Sequence, residues 1–168
     1  MTSSRPTKQK FKACHRYDTP RDAHSLTFNC FHAQPFLSKD RTRLWLIDSL
    51  NMVRERLAFD IWAYVIMPEH CHILLWPRQP AYSISRILEA IKLPVTRRAK
   101  GFLQRAAPES LRMMCDAQPN GKVAYRFWQR GGGHDRNLFE PKAIHAEIEY
   151  IHNNPVRREL AARAEDWP

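Results

Sequence analysis

From Ala23 to Phe31 apolar and polar positions alternate, with Leu26, Phe28 and Cys30 on one side, and this period of two predicts a first strand. His24 heads it as an expected surface residue. Beyond it, Leu44, Ile47, Leu50, Val53 and Leu57 recur at helical spacing, with Arg41, Arg43, Arg54 and Arg56 away from most of that stripe. Ser38 as N-cap and Asp40 in the first turn suit the helix dipole, and the helix is predicted to reach about Ala58. Asp60 to Ile66 is β-branched and aromatic, and His70 to Trp76 continues the apolar character. Between them Met67-Pro68-Glu69 makes a tight connection, because Pro68 cannot donate to a ladder and turns Met67 away from helix. The two runs therefore predict an antiparallel hairpin.

Ile84, Ile87, Leu88 and Ile91 predict a second helix from Tyr82 to about Lys92, ended or kinked by Pro94. Pro108 to Gly121 reads as a loop with one helical turn, and Val123 to Arg130 as a short strand. Gly131-Gly132-Gly133 is the expected flexible point: a hinge, a loop that contacts nucleic acid, or a plain linker. Pro141 suits a helix's first turn, and the helix from Lys142 to about Asn153 buries Ile144, Ile148 and Ile151 before Asn154-Pro155 closes it. The order is β-α-β-β-α-β-α.

A chain of 168 residues makes one domain with a real core. Its 27 Lys and Arg against 17 acids give a net charge of +10, which favours a polyanionic partner, nucleic acid before a membrane surface. A merely soluble basic protein is the competing account. Residues 1–22 read as a basic flexible arm and 23–168 as a single domain. The four cysteines (Cys14, Cys30, Cys71, Cys115) are far apart, which argues against a disulfide framework and for a reducing compartment. No apolar run approaches the ~20 residues that span a bilayer, and the N-terminus lacks a signal peptide's apolar segment, so a cytoplasmic, nucleoid-associated protein is expected. The abrupt end at Asp166-Trp167-Pro168 leaves room for a further C-terminal segment.

The chemistry concentrates in two places. In a strand His70 and His72 project from one face, their Cα atoms roughly 7 Å apart, while Cys71 points into the core. Two imidazoles so placed can share a metal ion, and a pair of surface histidines is the plainer reading. On the last helix Tyr150 lies over 100° from the centre of the isoleucine stripe, on the side of Ala143, Ala146, Glu147 and Asn154, where small residues leave room for a ligand. The Asn154 carboxamide is a candidate third ligand or simply a helix-terminal cap. Lys92, Arg97, Arg98, Lys100 and Arg105 form a patch that is either phosphate-facing or solvated, and Arg126, Arg130, Arg136, Arg157 and Arg158 are candidates for DNA backbone contacts.

The stretch Tyr64-Val-Ile-Met-Pro-Glu-His-Cys-His-Ile-Leu-Leu-Trp76, with Glu149-Tyr-Ile-His-Asn-Asn-Pro-Val156 about 80 residues on, resembles the HUH-type single-tyrosine transposases, and within them the REP-associated tyrosine transposases. The similarity covers roughly residues 20 to 160. It implies a ferredoxin-like (RRM-like) α+β domain, an antiparallel sheet with helices on one face and a C-terminal tyrosine-bearing helix. It implies His70 and His72 as ligands of a divalent ion, Mg²⁺ or Mn²⁺, and Tyr150 as nucleophile on single-stranded or hairpin DNA. Insertion-sequence relatives carry Gln where this chain has Asn154, and the REP-associated branch carries Asn. Three readings compete: a DNA-nicking and joining transposase, a hairpin-binding module without activity, and a structural zinc protein built on His70, His72 and a cysteine such as Cys14. Each is compatible with a monomer or a homodimer, and none calls for a membrane.

Overall fold

The computed structural model describes residues 17–131 and 133–168. The first strand is Ala23–Asn29 (β1), followed by a helix Asp40–Arg56 (α1). The expected hairpin is Phe59–Ile66 (β2) and His70–Pro77 (β3), and a long helix Ile84–Ala106 (α2) follows it. A 3-10 segment, Pro108–Met114, leads to a small hairpin of Cys115–Ala117 (β4) and Val123–Tyr125 (β5). His134–Leu138 (β6), Pro141–His152 (α3) and a single turn, Asn154–Arg157 (α4), complete the framework. The main sheet runs β2-β3-β1-β6 with every neighbour antiparallel, the ferredoxin-like order.

Strand alternation divides the sheet into two faces. On one, Leu26, Phe28, Cys71, Ile73 and Leu75 pack on Leu46, Leu50 and Val53 of α1 and on Ile84, Ile87, Ile91 and Val95 of α2. Each such buried side chain contributes about 1.5–3 kcal/mol of transfer free energy. On the other face Ala23, Ala63, Val65, Leu74 and Leu138 meet Ile151 of α3, with Ile144 and Ile148 half-buried beside it. Cys71 is fully buried on the first face, as the strand period requires, so His70 and His72 point to the second.

Several expectations need correcting. Pro94 does not end α2, which runs through it. Proline removes one helical donor. The lost donor would have served the Ala90 carbonyl, and the next two carbonyls gain side-chain donors from the surrounding core: Ser49 Oγ donates to Ile91 O at 2.8 Å, and Thr96 Oγ1 and Trp128 Nε1 donate to Lys92 O, both at 3.1 Å. A buried stripe continued by Val95 and Ala99 then favours the helix. On α1 the residue before the helix is Lys39 and no side chain caps it, so Ser38 is not the N-cap. Leu44 is exposed, and Leu46 takes its place in the buried stripe.

The fourth strand of the main sheet is not Val123–Arg130, of which only Val123–Tyr125 is a strand, paired with β4 in a separate sheet. That place belongs to the polar β6, which pairs with β1 from Ala23↔Leu138 to Thr27↔His134. Gly133 makes the approach feasible: its φ is +73°, and a Cβ there would lie 1.9 Å from the Thr27 carbonyl oxygen. The glycine run thus delivers an edge strand. His24 is no surface residue either. It is fully buried, its Nδ1 2.9 Å from Asp135 Oδ1 and its Nε2 2.8 Å from the Tyr82 hydroxyl. Of the expected arm, residues 1–16, with Cys14, lie outside the described residues. Tyr17 to Asp22 is tied down: Ile84 N donates to Asp18 Oδ1 at 3.1 Å, and Asn137 Nδ2 donates to Tyr17 O at 2.7 Å. Among the described residues no helix is long and apolar enough to cross a membrane.

Candidate active site

The histidine pair is set by the turn that precedes it. Met67 N donates to His70 O at 2.9 Å, while Cys30 N and Leu37 N donate to the carbonyls of Glu69 and Pro68 at 2.7 and 2.8 Å. β3 therefore starts at His70 in a fixed register. The two imidazole rings stand 4.8 Å apart and nearly perpendicular, with Nε2 atoms 3.0 Å from each other. Behind them His70 Nδ1 lies 2.9 Å from Glu69 Oε1, and His72 Nδ1 lies 2.8 Å from Thr27 Oγ1. Glu69 also accepts from Arg158.

The isoleucine stripe fixes the rotation of α3 and so the direction of Tyr150. The phenol is 39% exposed, and its ring sits 5.6 Å from that of His72, edge to face. Four residues on, Asn154 is buried with Nδ2 3.3 Å from His72 Nε2. The Arg157 guanidinium lies 5.1 Å from the centre of the Tyr150 ring. Together with Thr27, Asn29 and Arg158, these groups line one open cavity of about 470 Å³.

Burial, reinforced by the two nearby imidazoles of His70 and His134 and by the Arg158 guanidinium, lowers the His72 pKa to about 4. Burial also lowers that of His70, against the pull of Glu69. Burial alone would raise the Glu69 carboxyl, but the hydrogen bonds from Arg158 and His70 outweigh it and hold the group ionised. Both rings are thus neutral, the form that ligates metal. Burial also pushes the Cys30 thiol up to about 12 and that of Cys71 higher still, so neither is a ready thiolate.

Whether these residues suit a divalent ion is decided by the donors. Nitrogens 3.0 Å apart match two cis ligands held ~2.1 Å from one ion. A half-turn of the Asn154 amide would add a carbonyl oxygen. The set therefore fits an ion that accepts mixed nitrogen and oxygen ligands in an open shell. Among the described residues no group of three His, Cys, Asp or Glu is placed to hold a metal. The structural zinc reading thus finds no partner there: Cys71 points to the opposite face, and Cys14 lies outside the described residues.

Of the five candidate arginines the fold brings Arg157 and Arg158 to the cavity. Arg136 stands opposite Ser25 in the register, and the Ser25 hydroxyl donates to Glu147 of α3 at 2.7 Å, so Arg136 shares the α3 side of the sheet. Arg126 pairs with Asp116, and Arg130 donates to Gln118 at 3.3 Å, both on the small hairpin away from the cavity. Thr27, Asn29 and Glu69 escaped the sequence reading, as did His134, which faces Thr27 across the sheet edge. Only the polarity of Thr27 between Leu26 and Phe28 hinted at its direction.

No family model matches the chain. A Haemophilus influenzae protein assigned as a REP-associated tyrosine transposase is 26% identical over 137 residues, 77% of this chain and 72% of that protein. A solved structure of a REP-associated tyrosine transposase bound to a REP hairpin superposes with a TM-score of 0.71 at 19% identity, covering 94% of this chain and 81% of that one. The chain resembles the REP-associated tyrosine transposases. A Deinococcus radiodurans protein assigned as a transposase superposes with a TM-score of 0.48 at 20% identity, over 85% of this chain and 97% of that one, too loosely to add to the argument. The likeness to the REP-associated tyrosine transposase structure extends over nearly the whole chain, so it concerns both sheet faces and not one motif alone.

Proposed function

We propose that this protein cuts and rejoins single-stranded or hairpin DNA through a covalent link to Tyr150. The observation that carries the reading is the meeting, in one open cavity, of a half-exposed phenol with two imidazoles and two arginines. The phenol oxygen bonds to the phosphorus of a backbone phosphodiester as the bond from phosphorus to the 3′ oxygen breaks. The phenol proton passes to solvent, and the departing oxygen takes one up as a 3′-hydroxyl. A 5′-phosphotyrosine remains, and a second 3′-hydroxyl reverses the step. The phosphodiester is exchanged and not hydrolysed, so no triphosphate is consumed. A tyrosine, with an ordinary pKa near 10, also leaves more readily on resealing than an alkoxide would.

His70, His72 and Asn154 would hold a divalent ion, Mg²⁺ or Mn²⁺, whose contribution when bound is Lewis-acid polarisation of the phosphoryl oxygen. Arg157 and Arg158 bind the flanking phosphates, Arg136 extends that path along the sheet edge, and Arg126 and Arg130 serve a more distant part of the strand. Tyr150 and His72 of one chain already stand together, so catalysis needs no second copy. The hairpin held by the transposase of similar fold supports hairpin DNA as the substrate class.

The test is an adduct assay. Labelled single-stranded and hairpin oligonucleotides are incubated with the protein and Mg²⁺ or Mn²⁺, then run on a denaturing gel. A protein-linked band is expected, absent with chelator and absent in Tyr150→Phe and His70→Ala, both of which should still bind the hairpin. An adduct that survives Tyr150→Phe removes the nucleophile assignment. Tight hairpin binding without any adduct in the wild type would make the protein a binding module.

A further inference from the structure

Strand register places a third imidazole across from the phenol. Thr27 pairs with His72 on one side and with His134 on the other, so the three residues form one row across β3, β1 and β6. Cross-strand neighbours share a face, and the Thr27 hydroxyl, 2.8 Å from His72 Nδ1, lies with it on the α3 side of the sheet. His134 is exposed at the start of β6, just beyond the β1 rim of the cavity. Its Cα stands two strand spacings, roughly 10 Å, from that of His72.

The helix α3 makes the facing wall. Its Glu147 accepts from Ser25 of β1 at 2.7 Å, so this side of the helix looks over β1 toward β6. Tyr150 is on the same side, about 60° round and ~4.5 Å further along the axis. The order is therefore the same on both walls: Glu147 faces Arg136 over Ser25, and Tyr150 faces His134 over the row of His72 and Thr27.

An in-line displacement brings the nucleophile to one side of phosphorus and sends the leaving group out on the other. With Tyr150 attacking from the α3 wall, the 3′ oxygen departs toward β6. The geometry points to His134 as the catalytic acid on that oxygen and, in resealing, as the base on the incoming 3′-hydroxyl. The imidazolium proton of His134 passes to the 3′ oxygen as its bond to phosphorus breaks. The bond from the phenol oxygen forms in the same step, and the phenol proton goes to solvent. His134, left neutral, takes a proton back from the 3′-hydroxyl that attacks in the reverse step. Two contacts of roughly 3 Å and the breaking bond span about 8 Å, comparable with the two strand spacings that separate His134 from His72. The inference rests on reading Tyr150 as the nucleophile.

A sulfur leaving group tests it, since a thiolate departs without needing a proton. Two matched hairpin oligonucleotides carry oxygen or sulfur at the 3′ bridging position of the phosphodiester that the wild type cuts. Adduct formation is timed with protein in excess, in one Mn²⁺ buffer throughout. His134→Ala and His134→Gln should slow the oxygen substrate by about 100-fold or more. Both variants should react with the sulfur substrate close to the wild-type rate, which also shows that they are folded, and should hold the hairpin as tightly as the wild type. Oxygen-substrate rates equal to the wild type overturn the proposal. Equal slowing of both substrates by variants that still bind the hairpin overturns it too, and leaves His134 as a contact that only orients the strand. A wild type that forms no adduct with either substrate removes the strand-transfer reading itself, and so is told apart from a failure at His134.

Discussion

On one side of the sheet, Leu26, Phe28, Ile73 and Leu75 meet α1 and α2 with almost no exposed surface. On the other, α3 crosses on Ile144, Ile148 and Ile151, of which only Ile151 is fully buried, and beyond them lie His70, His72, Tyr150 and Thr27. The contrast separates two tasks. Close apolar packing on the first side supplies cohesion without regard to the site. The thinner contact on the second leaves room for polar groups, each kept in place by a specific hydrogen bond: Thr27 behind His72, Glu69 behind His70, Glu147 on Ser25. Changes on the first side should therefore move stability, and changes on the second should move chemistry.

Phe28→Ala, which empties the packed side, should cost about 3–5 kcal/mol in denaturant unfolding. Gly133→Ala is next, at about 2–3 kcal/mol, because the added methyl collides with the Thr27 carbonyl in a backbone that favours glycine. Faster amide exchange along His134–Leu138 would locate that loss at the β6 edge. A pH series on ion-free protein probes the second side. The folded pKa of His72, about 4, lies below the ordinary 6.5, so the neutral ring's contribution is complete above about 6.5 and is lost as pH falls through about 4. Tm should fall over that window, and His72→Gln should flatten the fall. Ile148→Ala, under α3, should cost about 1–2 kcal/mol. If it costs as much as Phe28→Ala, the two sides are not built differently. Smallest of all, Tyr150→Phe should change stability by less than about 0.5 kcal/mol while abolishing the adduct, since its hydroxyl faces an open cavity.

Local patterns carried the hairpin, the inward cysteine between two outward histidines, and the off-stripe tyrosine. These depend on period and proline chemistry within a few residues. What escaped depends on distant partners. β6 has one buried apolar side chain, Leu138, so its sequence shows no strand pattern, and it is a strand because β1 offers it a ladder. His24 looks like a solvent residue until Tyr82 and Asp135, 58 and 111 positions away, are folded against it. Pro94 reads as a terminator because the donors that serve the neighbouring carbonyls come partly from Ser49 and Trp128. In the site, the residues with a recognisable reaction were legible, and those that only aim them were not. Glu69 sat in plain view beside His70, yet its purpose emerges only when Arg158, 89 positions later, closes on it.

The bend between β2 and β3 is stapled by the amides of Cys30 and Leu37 as well as by its own hydrogen bond. That anchoring makes the imidazole half of the cavity stationary relative to the bulk of the molecule. Under the proposed strand exchange, any displacement between one DNA end and the next would fall to the helix that carries the phenol and not to the anchored imidazoles.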